Sequence, residues 1–185
     1  MAEPLIKPGP DFDQPIAVLR HCHDRIRQQL ETLDRLQQHL QQQGQSADAK
    51  QAAAAVLRYF KQSAPQHHAD EEEDLLPMLE ASAAGDDAQL LASIKPQILD
   101  EHQQMDRHWQ ALERELSAIA QGDGSTLSAD DVRNFAELYA AHMQKEEGAI
   151  APMALRLFSP EQMATLGNAM RERRGIPKEP ANVNC

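Results

Sequence analysis

The chain has 185 residues, enough for one domain with a real core, and 41% of them are hydrophobic although only 4% are aromatic. Ala, Gln, Leu and Glu are abundant and all favour helix, so the composition points to an all-α fold and away from strands. The formal net charge of −11 argues against nucleic acid or an anionic membrane surface as the main partner, and it suits a protein that attracts cations.

In chain order, residues 1–11 hold three prolines and a glycine and predict a loose arm. Asp13 is a candidate N-cap, with Pro15 in the first turn of a helix. Apolar residues then recur at Ile16, Leu19, Ile26, Leu30, Leu33 and Leu40, alternating three and four apart, which is the seam of a helical bundle. Gly44 ends this helix. Ser46 opens a second, running through Val56, Phe60, Ala64, Leu75 and Met78, and Pro65 is expected to kink or divide it. Gly85 is read as the end of that unit. A third helix carries Ile94, Ile98, Met105, Trp109, Leu112, Leu116 and Ile119 and stops at Gly122-Asp123-Gly124.

Ser128-Ala129-Asp130-Asp131 resembles an acidic N-cap box for a fourth helix through Val132, Phe135, Tyr139 and Ile150. Ser159-Pro160-Glu161 opens a short fifth, and residues 176–185 form a polar tail. The expected architecture is one domain: an up-down-up-down four-helix bundle over about 13–155, with a short C-terminal fifth helix. Cys22 and Cys185 supply no disulfide framework. No signal-peptide core or membrane-length apolar run is visible, so the expected location is cytoplasmic, with no membrane partner.

One pattern occurs twice. His67-x3-Glu71-Glu72-x2-Leu75-x-Pro77 returns as His142-x3-Glu146-Glu147-x2-Ile150-x-Pro152, at an offset of 75 residues. A histidine and a carboxylate four residues apart lie on one helix face. The seam rhythm puts His67 and Glu71 inward on the second helix and His142 and Glu146 inward on the fourth. The same rhythm puts His23 inward on the first helix and His102 on the third. Two carboxylates in a bundle core, with no Lys or Arg in the seam, cost several kcal/mol each unless cations compensate them. Two divalent ions clamped by these six residues would do so. His21, His39 and His108 fall on other faces and read as surface or structural residues. His68, Glu72 and Glu147 flank the ligand candidates as possible outer groups, and Cys22 reads as a small packing residue.

His23, His67-x3-Glu71-Glu72, His102 and His142-x3-Glu146-Glu147 resemble the hemerythrin-like, or HHE cation-binding, domain family over about residues 13–155. The resemblance implies a four-helix bundle around two non-haem iron ions with an oxo or hydroxo bridge. The four histidines would be terminal ligands, and Glu71 and Glu146 would bridge. Oxygen-carrying hemerythrins use a fifth histidine one turn from the third-helix histidine, and here those positions are Ile98 and Asp106. The set is more similar to the symmetric four-histidine, two-glutamate centres of bacterial iron-centre repair and NO-responsive relatives. The implied function is binding of, or response to, O2, NO or peroxide. The alternatives are iron handling without gas chemistry, and a peroxidase-like or NO-reducing enzyme. Tyr139, one turn before His142, is a candidate contact for an exogenous ligand.

Overall fold

The computed structural model describes residues 11–177, all helix and connecting turns, with no strand among them. The helices are α1 (Pro15–Gln43), α2 (Ala47–Ala69), α3 (Leu76–Ser82), α4 (Gly85–Gln121), α5 (Ala129–Lys145), α6 (Ala151–Leu157) and α7 (Pro160–Arg173). Two π-helical turns, π1 (Asp70–Leu75) and π2 (Glu146–Ile150), join α2 to α3 and α5 to α6. Each triplet makes one long rod. With α1 and α4 the rods form an all-α four-helix bundle in which α1 packs on α2 and α5, and α4 packs on the same two. The expected arms and Cys185 fall almost wholly outside the described residues.

The seams pack as their spacing predicts. Ile16, Leu19, Ile26, Leu30, Leu33 and Leu40 of α1 are all buried, as are Ile98, Met105, Leu112, Leu116 and Ile119 of α4. They divide into two apolar clusters. One holds Ile26, Phe60, Ala64, Met105, Phe135 and Tyr139, and the other holds Leu19, Leu75, Ile98, Ile150 and Leu166. Along every rod the inward polar residues fall between the two clusters, so the bundle has a polar layer closed off by oil at both ends.

Three local expectations change. Asp13 does not cap α1; the cap position is Gln14, with no side-chain bond, and Asp13 instead holds Arg171 at 2.8 Å. Pro65 leaves α2 unbroken, because it and Lys61 are both exposed and the carbonyl that loses its donor faces water. The division comes at π1 instead. Pro77, at the start of α3, has no amide to give the carbonyl of Glu73, and Leu76 bonds five residues back to Glu71. Pro152 acts on Gly148 in the same way, and Ala151 bonds back to Glu146. Lastly, Gly85 opens α4 rather than closing the previous unit, with Asp86 and Asp87 in its first turn where the helix dipole favours acids.

Ser46, Ser128 and Ser159 cap α2, α5 and α7 through their hydroxyls. Among the described residues, no helix is long and apolar enough to cross a membrane.

Candidate metal centre

The structure brings the six seam residues together, and none of His23, His67, Glu71, His102, His142 and Glu146 is more than 4% exposed. The reach of the two carboxylates defines the layout. Glu71 places Oε1 3.1 Å from His67 Nε2 and Oε2 3.4 Å from His102 Nε2. Glu146 places Oε2 3.0 Å from His23 Nε2 and Oε1 3.3 Å from His142 Nε2. Two groups result, one of His23, His67, Glu71 and Glu146, the other of His102, His142, Glu71 and Glu146. Within each group the donor atoms lie within 4.8 Å of one another, a spacing that can hold a metal ion. Both glutamates belong to both groups.

Protein partners alone leave this layer unsatisfied. His23 Nε2, both nitrogens of His67, Glu71 Oε2 and Glu146 Oε2 are buried without a hydrogen-bond partner in the protein. His102 and His142 face each other Nε2 to Nε2 at 3.1 Å. Burial sets the charges. It pushes Glu71 well above the ordinary carboxylate range, and the neighbouring Glu146 adds to the shift. Burial acts the same way on Glu146, but the imidazoles of His142 and His23 outweigh it and hold that carboxyl low. Burial drives His67 and His102 down. His142 is raised because Glu146 and Glu101 overcome its desolvation. With protein groups alone, the two carboxyls are pushed in opposite directions, Glu71 up by burial and Glu146 down by the imidazoles. Inward nitrogen and oxygen lone pairs with no donor between them fit a pair of cations.

Three of the four imidazoles are held from behind. His23 Nδ1 lies 2.9 Å from Glu147, which also accepts from Arg27 at 2.7 Å. His102 Nδ1 lies 2.6 Å from Glu72, and His142 Nδ1 lies 3.1 Å from Glu101, itself paired with Lys145. A carboxylate on Nδ1 keeps the proton there and turns the Nε2 lone pair inward. Glu72 and Glu147 were signalled by the doubled glutamates of the repeat. Glu101 was not singled out, because it lies off the seam; its signal is that it directly precedes His102.

Beside the second group is a cavity of about 20 Å3, walled by Phe60, His68, Met105, Asp106, Trp109 and Tyr139. Its volume is about that of one water-sized probe. His68 stacks on His102 with ring centres 4.0 Å apart, and its Nε2 lies 3.5 Å from the Tyr139 hydroxyl. Trp109 packs on Phe60 at 5.1 Å and on Phe135 at 6.0 Å. Asp106 is exposed at this cavity and belongs to neither metal group, while Ile98 is buried in the far apolar cluster. His21 is exposed, His39 bonds Ser46 at 2.8 Å, and His108 is half-buried, all outside the two groups. Cys22 is a free cysteine packed at the edge of the far cluster.

Comparison with known proteins agrees with the geometry. The family model of the hemerythrin HHE cation-binding domain matches residues 14–154, which spans the bundle and all six inward residues. An uncharacterized protein of Haemophilus influenzae is 26% identical over 165 residues, covering 89% of this chain and 92% of that protein.

Proposed function

The chain belongs to the hemerythrin HHE cation-binding domain family, and from that premise we propose that it is a non-haem di-iron protein that binds or responds to O2, NO or related oxidants. One observation carries the reading: each of two buried carboxylates offers one oxygen to each of two histidine pairs. His23 and His67 would hold one ion, His102 and His142 the other, with Glu71 and Glu146 across both. Imidazole and carboxylate donors suit iron better than the soft metals that favour thiolates. Two histidines and two carboxylate oxygens give four protein donors per ion. When bound, an iron pair, bridged by oxo or hydroxo, would supply redox chemistry toward a diatomic ligand or peroxide.

The protein's own groups do the rest. Glu72, Glu101 and Glu147 keep the proton on the outer imidazole nitrogen. The clusters above and below exclude water from the layer. The His68–Tyr139 couple offers a hydrogen-bonding edge next to the His102 group, beside a cavity with room for about one water-sized molecule.

Protein produced with ample iron is expected to hold about two irons per chain, one for each donor group. Alanine at His23, His67, His102 or His142 should lower that content, and alanine at His21, His39 or His108 should not. Reduced protein should bind NO and should be oxidised by O2 without a reversible adduct, since no fifth imidazole stands at Ile98 or Asp106. One iron per chain, or equal losses from both sets of variants, would sink the reading. Iron content without any spectral response to NO or O2 would favour iron handling instead.

A further inference from the structure

The two donor groups are alike in their inward atoms and unlike behind them. In the group of His102 and His142, both imidazoles have a carboxylate on Nδ1, Glu72 for the first and Glu101 for the second. In the group of His23 and His67, only His23 has one, Glu147. His67 Nδ1 is buried and meets no partner in the protein. The equivalent places of His23 and His102 in the two groups explain the gap. Glu101, which supports His142, stands one residue before His102; the residue one before His23 is Cys22. A thiol is a weak acceptor, and Cys22 makes no bond to His67.

The charges around the groups differ in the same sense. Glu147, behind His23, is shared with Arg27. Cys22 lines a pocket of about 260 Å3 with Arg25, with Gln66, the chain neighbour of His67, and with Arg174, whose charge Asp70 offsets. Behind the other group, Lys145 pairs with Glu101, and Glu72 has no lysine or arginine partner among the described residues. A cation beside His102 and His142 therefore meets better-anchored, more basic imidazoles and less opposing positive charge.

We propose that the two metal positions are unequal: the one of His102 and His142 fills first and tightly, and the one of His23 and His67 is the exchangeable position, with the Cys22-for-glutamate difference as its cause. This rests on the two-metal reading above. It makes Glu101 a positioning residue acting through His142, and it puts the weaker position beside the pocket that faces solvent.

Titration of metal-free protein with cobalt(II), followed by visible absorption and calorimetry, tests it. Two binding events separated by at least about tenfold are expected, the range in which loss of an outer partner acts. His67→Ala should abolish the weaker event and spare the tighter one, and His102→Ala should do the reverse. Glu101→Gln and Glu101→Cys should weaken the tighter event by about 10- to 100-fold and bring the two together. Cys22→Glu, where circular dichroism shows it folded, should strengthen the weaker event, and Cys22→Ala should change neither. Two ions in a single class overturn the proposal while leaving two metals in place. Two events that ignore Glu101→Gln, with a tight event surviving in both histidine variants, would trace the difference to repulsion between the ions and also overturn it. Binding of one ion or none removes the two-metal reading itself.

Discussion

The turns π1 and π2 carry the same Glu-Glu-x2-apolar pattern, close on the same kind of five-residue bond, and are braced in opposite ways. In π1 the residue before Glu71 is Asp70, fully buried and gripped by Arg173 and Arg174 at the C-terminal end of α7. Arg173 also reaches Glu73 at 2.9 Å and Asp74 at 2.6 Å. The matching residue of the second copy, one before Glu146, is Lys145, which pairs with Glu101 of α4 near the surface. α7 packs against π1 and α1. It is held there by Arg171 on Asp11 and Asp13, and by the approach of Gly167 to the Phe12 backbone. The difference teaches that the repeat fixes the atoms that face the centre and leaves the bracing free. One glutamate is secured by a buried ion pair with an added helix, the other by a half-exposed lysine within the bundle.

The sharpest way to break this comparison is to strip the brace from π1. Arg173→Ala with Arg174→Ala leaves the buried Asp70 without either partner, and should lower unfolding free energy by about 3–5 kcal/mol in urea melts. A loss equal to that of Lys145→Ala would show that the two turns are braced alike. Next comes Gly167→Ala. Its new Cβ would meet the Phe12 carbonyl oxygen at 1.9 Å, and the clash is with backbone, so α7 must shift. A cost of about 1–3 kcal/mol is expected, with easier proteolysis of α7 while α5 and π2 stay protected.

Third, metal-free protein separates the two glutamates. Glu146→Gln removes a carboxylate that is ionised against His142 and should cost about 1–3 kcal/mol at neutral pH. Glu71→Gln replaces a carboxyl whose charged form burial already disfavours and should be near neutral. The pH dependence follows from His142, whose value is raised in the folded protein. Its contribution is complete below the unfolded value of 6.5 and is lost as pH rises through the higher folded value. Metal-free wild type should therefore weaken as pH rises past 6.5, and Glu146→Gln should show less of that slope in melts taken across pH. The smallest effect is Lys145→Ala, at less than about 1 kcal/mol, because the lysine side chain is 29% exposed.

The bundle and the inward six were legible because both follow from period. A three-four rhythm with His23, His102 and two His-x3-Glu pairs in phase leaves those side chains one direction to point. What escaped was set by other means. The π turns hinge on amides that Pro77 and Pro152 lack, a backbone effect that the side-chain rhythm does not register, whereas Pro65, the more conspicuous proline, is harmless because it is exposed. Gly85 reads as a stop because glycine often ends helices, whereas here it precedes two acids that favour a start. Glu101 lies beside the seam rather than in it. The Arg173–Asp70 pair joins residues 103 positions apart, and no local pattern announces it.

Trp109 has an optical consequence. It is the chain's one tryptophan, and it stands on the wall of the small cavity with His68 and Tyr139. Near-ultraviolet emission above the tyrosine band therefore has a single origin, and that origin adjoins the His102 group. The molecule carries a built-in fluorescent gauge whose intensity and colour register events at one wall of the polar layer, undiluted by signal from any other indole.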